Sequence, residues 1–268
     1  MMLPEYGVSN KLDRRIGRKL IPFFGRRMLQ FKIDKPIISI SFDDFPKSVM
    51  ETALPMLDSY DWKATFYVAA GLENITNHLG LHYSRDDLQK LQAENHEIGC
   101  HTYHHLNVAE LSANRVNEQI SSNEKAMKAL GHHVKMDTFA YPFGETSINR
   151  KKQLAESFAS LRGIMPGIHY DKVDLNQVKS VPIYTGPSLT NTFNYIKSLE
   201  KKPGWLTLFT HDIRENPSEW GCTPDDFERV LHAIHQSGAI VLPIQRAIDS
   251  LEASSERQAH SKEGKKTP

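Results

Sequence analysis

Three short stretches of this 268-residue chain carry residue types that can do hydrolytic chemistry. Ser41-Phe42-Asp43-Asp44 sets two adjacent carboxylates at the end of an apolar run. Successive side chains of a strand point to opposite faces, so two such carboxylates can take different jobs, one ligating a metal and one acting as a base. An isolated Asp-Asp pair is more often a polar strand end that caps the following helix. His101-Thr102-Tyr103-His104-His105 places two imidazoles at i, i+4, a separation at which one helical turn can offer both to a single cation. The same separation recurs at His78 and His82, in a polar Asn- and Gly-containing connection that reads as a surface loop. Thr210-His211 closes a third apolar run. A lone histidine leaving a strand is commonly structural, but a strand end shared with the other two stretches shifts that weighing. One Asp and two His supply three ligands and leave a position open for water, as catalytic zinc sites do. The second Asp can take a proton from that water, and a separate imidazolium can protonate a leaving group. Together these residues are the inventory for metal-assisted hydrolysis of an amide or ester. Cys100 reads as a buried small hydrophobe, not a ligand.

The elements that must position these residues alternate along the chain. Strands are expected at 37–42, 64–69, 97–100, 138–141, 160–164, 181–184, 205–210 and 239–244. Helices are expected over 47–59, from the Ser84/Asp87 capping pattern onward, over 109–130 up to Gly131, and over 148–157. Two more are expected, one from Thr190 to 200 and one from Thr223-Pro224-Asp225-Asp226 to Gly238. Alternating strands and helices imply βα units and a mostly parallel sheet. Seven or eight units in about 215 residues fit a closed barrel better than an open sheet, and ligands gather at the C-terminal strand ends of such folds.

In this order and at strand ends, the motifs resemble those of the NodB-homology polysaccharide deacetylases, carbohydrate esterase family four. Ser41–Asp44 looks like the family's aromatic-Asp-Asp motif, 101–105 like its His-(Ser/Thr)-x-x-His motif, Phe139-Ala140-Tyr141-Pro142-Phe143-Gly144 like its third, and Phe209-Thr210-His211 like its late histidine motif. The resemblance covers roughly 36–248 and implies a distorted (β/α)7 barrel that removes an N- or O-acetyl group from a sugar. It implies Asp43 as general base, His211 as general acid and the Phe143 N–H as an oxyanion donor. Asp44, His101 and His105 are the implied ligands of a divalent metal, Zn2+ by default, with Co2+, Ni2+, Mn2+ or Fe2+ suited to the same donors. Thr102 is expected to brace the histidine loop. The sequence departs from the family twice. Ala140 stands where the third motif often carries an Arg that orients the base, and Arg162 on another expected strand is the candidate to supply that charge. The fourth-motif Asp that supports the late His has no clear match, with Asp171 and Asp174 the nearest candidates. Two further readings stand beside the deacetylase: a catalytically silent sugar-binding protein on this scaffold, and an amidase acting on a non-sugar acyl amide.

Composition sets the outer bounds. The chain is 39% hydrophobic and 24% charged, which permits a sizeable core and excludes wholesale disorder. Its net charge of +1 argues against a nucleic-acid partner bound through bulk charge. Two cysteines cannot build a disulfide framework. Expected divisions are a basic amphipathic segment at 1–35, the barrel domain at 36–252 and a disordered polar tail at 253–268. In the first segment Lys11, Arg14, Arg15, Arg18, Lys19, Arg26, Arg27 and Lys32 interleave with Leu12, Ile16, Leu20, Phe23 and Phe24. The favoured reading is a helix covering one end of the domain with a solvated basic face. The other is peripheral contact of residues 1–30 with an anionic membrane surface. Without a signal-like apolar run the expected location is cytoplasmic, with the inner membrane as the surface touched.

Overall fold

The computed structural model describes residues 21–263. In chain order its first half comprises β1 (Met28–Gln30), β2 (Ile37–Asp43), α1 (Leu54–Asp58), β3 (Thr65–Val68), the short pair β4 (Thr76–Asn77) and β5 (Gly80–Leu81), α2 (Arg85–Ala93), β6 (Glu97–Cys100) and α3 (Ala113–Ala129). The second half comprises β7 (Thr138–Ala140), α4 (Ile148–Leu154), β8 (Ser160–Arg162), β9 (Lys172–Asp174), β10 (Val181–Pro182), α5 (Pro187–Lys201), β11 (Trp205–Thr210), α6 (Pro224–Gln236), β12 (Ile240–Val241) and α7 (Ile244–Glu263).

A parallel ladder runs β10-β11-β2-β3-β6-β7-β8, with β12 also pairing with the first residues of β2. This curled sheet with helices outside is the distorted (β/α)7 barrel. Its two edge strands do not pair with each other. Residues between β8 and β10 fill the gap, where Gly163 N donates to Val178 O at 2.9 Å and Val178 N to Leu161 O at 2.9 Å. Period-two alternation sorts the side chains. Ile38, Ile40, Phe42, Phe66 and Val68 pack with the helices in the main core, whereas Ile37, Tyr67, Ala140 and Trp205 belong to a second cluster inside the barrel. Asp43 shares the inward face of β2 with Ser39 and Ser41. The barrel is closed at the N-terminal strand ends by Ile244, Ala247, Ile248 and Leu251 of α7 together with Phe31.

Several boundaries depart from expectation for local reasons. The helix expected at 47–59 opens with one widened turn, Val49–Ala53, before α1. Pro55 has no N–H with which to continue a regular ladder there. α3 starts at Ala113 because Ser112 caps it, accepting from Arg115 N. α5 starts before Thr190: Pro187 occupies a first-turn position after Gly186 at φ 99°. The tail expected to be disordered from 253 is helical to Glu263, since α7 is nucleated by its buried residues and propagates outward. Part of the basic N-terminal segment is not a helix. β1 pairs antiparallel with β9, and Arg27 donates to the carbonyls of Ala155, Phe158 and Ala159. The helix reading of residues 1–20 lies outside the described residues. Among those described, no helix is long and apolar enough to cross a membrane.

Candidate active site

β2 delivers Asp43 on its inward face and then turns sharply. Asp44 and Phe45 both adopt left-handed backbone, at φ 57° and 55°. Such a conformation costs of order 1–3 kcal/mol per residue and persists only when its surroundings enforce it. Here Phe45 enforces it: its ring stacks on Tyr83 at 4.9 Å and meets Phe66 edge-on at 5.0 Å.

His101 and His105 come together through an irregular loop, not a helical turn. Thr102 and His105 sit at φ 63° and 51°, and Thr102 Oγ1 accepts from Leu106 N at 3.2 Å. The loop is fixed from outside. Gln119 Oε1 accepts from His104 N at 2.9 Å, and Tyr103 O accepts from Gly71 N at 2.9 Å. A Cβ on residue 71 would sit 2.6 Å from Tyr103 O, so only glycine allows this approach. Asn123, also on α3, donates to Val68 O and accepts from Ala70 N. In the sequence Gln119 and Asn123 look like ordinary polar helix residues, and nothing marks them as braces.

Asp44 Oδ1 lies 3.6 Å from His105 Nε2 and 3.9 Å from His101 Nε2, and the three donor atoms fall within 4.8 Å of one another. The chemistry of the set fits a cation. His101 Nδ1 is 2.8 Å from Ala140 O; a carbonyl only accepts, so Nδ1 carries the proton and Nε2 presents its lone pair. Burial lowers the His101 pKa to about 4 against the pull of Asp43, keeping the ring neutral. Burial would raise the Asp44 carboxyl, but His105, His101, His211 and His82 outweigh it and bring the pKa down. Asp44 Oδ1 is buried and accepts no hydrogen bond.

Asp43 is held differently. Its Oδ2 accepts from Arg162 Nη2, and its Oδ1 is buried without a hydrogen bond. The fully buried Arg162 guanidinium lies 5.1 Å from the Tyr67 ring and 4.9 Å from the Phe209 ring. Arg162 is the register partner of Ala140 on the adjacent strand, so the cation absent at 140 arrives one strand over. Phe143 follows β7 in a single turn at φ 60° and lays its ring 4.4 Å from that of His105. His211 reaches the same mouth from β11, and its Nδ1 lies 3.1 Å from Trp220 O.

Two expectations need correction. His82 is not on a surface loop: β4 and β5 form a hairpin that buries it completely, with its N and Nδ1 both on Ile75 O. Burial depresses its pKa while Asp44 opposes. Neither Asp171 nor Asp174 supports His211. Asp171 pairs with Lys202 at 2.7 Å, and Asp174 with the buried Lys151 at 2.6 Å. A second cluster, Asp58, Glu94 and His96, also gathers within 4.8 Å. Ala64 N donates to His96 Nδ1, so a neutral ring carries its proton on Nε2 and offers a cation no lone pair, and Lys63 pairs with Asp58 at 3.5 Å.

Residues 32–160 match the family model described as polysaccharide deacetylase. This segment holds Asp43, Asp44, His101, His105 and Phe143, and through it the chain is similar to that family. Chitin deacetylase 2 of Saccharomyces cerevisiae is 27% identical over 179 residues, 66% of this chain and 51% of that protein. The chain spans between 15% and 51% of the length of the curated relatives it matches. Among solved structures, the chitin deacetylase of Colletotrichum lindemuthianum aligns with TM-score 0.57 and 16% identity over 81% of this chain and 89% of the other. BA3943 of Bacillus anthracis, described as a CE4 family pseudoenzyme, aligns with TM-score 0.52 and 17% identity over 80% and 65%. These likenesses establish the fold.

Proposed function

We propose that this chain is a hydrolase that removes an acetyl group from an N-acetylated saccharide with the help of one divalent cation. Asp44, His101 and His105 would hold the cation, zinc by default and Co2+, Ni2+, Mn2+ or Fe2+ through the same donors. When bound, it supplies Lewis-acid charge at the acetyl carbonyl and makes a nearby water acidic. The observation that carries the reading is the contrast between neighbouring carboxylates. Asp44 Oδ1 faces two imidazole Nε2 atoms, while Asp43 is anchored through Oδ2 and keeps Oδ1 for a proton. Asp43 takes the proton of the attacking water through Oδ1. The Phe143 N–H holds the developing oxyanion, a contribution worth roughly 2.7–4 kcal/mol. His211 gives a proton to the departing nitrogen, so the amine and acetate leave with the elements of water shared between them. Exposed Phe143 (44%) and Trp220 (43%) flank the mouth, which suits a saccharide better than the closed pocket of an amidase for small acyl amides.

Acetate release from acetylated oligosaccharides, with chelated and metal-reloaded protein, tests this. Release is expected only with the cation present, and Asp43→Asn is expected to abolish turnover while metal content stays that of the parent. Unchanged turnover in that variant, or a chain that retains no cation, overturns the reading. The silent sugar-binding alternative draws on Ala140 and on the likeness to a pseudoenzyme; the Arg162–Asp43 pair weighs against it. Saccharide binding without acetate release would select it.

For location, we propose a cytoplasmic protein in peripheral contact with an anionic inner-membrane surface. Phe23 and Phe24 are 65% and 49% exposed, and the Arg26 guanidinium lies 5.3 Å from the Phe23 ring. Co-sedimentation with anionic vesicles is expected for the full chain and is expected to be lost in the Phe23→Ser, Phe24→Ser double variant. A parent that stays in the supernatant ends that proposal.

A further inference from the structure

We propose that Asp212 is the positioning residue for His211, acting through the Trp220 carbonyl. The inference rests on the role of His211 as proton donor. Trp220 O accepts from His211 N at 3.2 Å, lies 3.1 Å from His211 Nδ1 and 3.4 Å from Thr210 Oγ1. One carbonyl therefore sets both the backbone and the ring of the histidine. It holds the Nδ1–H tautomer, which leaves Nε2 as the nitrogen that exchanges its proton.

That carbonyl is carried by a loop wrapped around the Asp212 carboxylate, which is fully buried. Asp212 Oδ1 accepts from Ser218 Oγ at 2.5 Å, and Oδ2 accepts from Ser218 N at 2.8 Å and Arg214 Nε at 2.7 Å. Ser218 Oγ in turn accepts from Trp220 N at 3.1 Å, so its hydroxyl relays the carboxylate's position to the residue that holds His211. The main chain closes the loop, with Cys222 N donating to Asp212 O at 3.0 Å. At residue 221 any Cβ would collide with Asp212 O and Oδ1, so the wrap requires Gly221. Arg214 also donates from Nη2 to His78 O at 2.9 Å, tying this loop to the hairpin that buries His82 beside Asp44. Among the described residues, no carboxylate is hydrogen-bonded to the His211 ring. The neutral carbonyl stands in that place, and its geometry is only as fixed as the Asp212 loop.

The test compares Asp212→Asn, Asp212→Ala and Ser218→Ala in the metal-loaded full chain. Outer partners of catalytic groups typically matter by 10–100-fold. Asp212→Ala is expected to lower kcat for acetate release within that range with KM little changed. Ser218→Ala is expected to follow it, and Asp212→Asn to fall between Asp212→Ala and the parent. Two-bond 1H–15N spectra of the imidazoles, assigned with His211→Gln, give a readout independent of turnover. His211 is expected to change from one Nδ1–H tautomer to a mixture in Asp212→Ala and in Ser218→Ala. A parental tautomer in both variants, or a kcat loss accounted for by lost metal or a collapsed melting temperature, overturns the inference. If the parent releases no acetate, the proposed function fails while the spectra still decide the role of Asp212.

Discussion

The Arg162 guanidinium lies between two aromatic rings with one nitrogen on Asp43, and that arrangement makes a specific demand on substitution. A lysine at 162 offers a point charge without the planar group that stacks between Tyr67 and Phe209. Arg162→Lys is expected to lower kcat for acetate release by about 10–100-fold with a folded chain. Arg162→Ala leaves a buried carboxylate uncompensated and is expected to cost about 3–5 kcal/mol in chemical denaturation. Equal melting temperatures and turnover in the parent and both variants would remove Arg162 from the site. At this scale the sequence was informative where types and spacing converge: Asp43, Asp44, His101, His105 and His211 meet at one mouth. It was poor where a partner is set by three-dimensional adjacency. Arg162 could only be guessed from strand order, and Asp212 reads as one more acid beside a histidine. His82 was misread because hairpin burial leaves no mark in a polar Asn- and Gly-containing stretch.

Turns held in unusual backbone do the positioning among the elements. Asp44, Phe45, Thr102, His105 and Phe143 all sit at positive φ within three connections that leave strand ends. The histidine connection leans on Gly71, so Gly71→Ala is expected to push Tyr103 and displace His105. Isothermal titration should read weaker cation binding in that variant even where the chain still folds; parental affinity would mean the loop is held by other contacts. In the segment between β8 and β10, Asp174 joins Lys151 to Arg27 N and Asn176 N. Asp174→Ala strands a buried ammonium, and a loss of about 3–5 kcal/mol is expected in urea unfolding. The strand–helix alternation was legible because each buried run and cap is local. The β1–β9 pairing was not, since the partners lie far apart in the chain and β1 sits within a basic stretch of helical period.

For the molecule as a whole, two histidines remote from the mouth tie stability to acidity. His96 Nδ1 accepts from Ala64 N, and His169 Nε2 accepts from Lys179 N, so protonating either nitrogen breaks a main-chain hydrogen bond. Burial first, with nearby lysines adding to it, lowers their pKa values to about 4 and about 3 from an ordinary 6.5. The folded chain therefore binds fewer protons than the unfolded one below pH 6.5. Their contribution is full above that value and is lost as pH falls toward 4, at a slope approaching about 1.4 kcal/mol per pH unit for each group. Melting temperature is expected to fall between pH 7 and pH 5, and less steeply in the His96→Gln, His169→Gln double variant; a flat parent profile would contradict this. The barrel class was readable from the repeating pattern, but its unpaired edge strands were not, because closure depends on accumulated sheet curvature.

The exchange between positions 140 and 162 bears on how such chains are sorted. A one-dimensional filter that requires arginine at 140 would find no cation for Asp43, although a guanidinium reaches that carboxylate from the neighbouring strand. The same error would befall any homologous barrel in which a charge has changed its address along the chain while keeping its place in space.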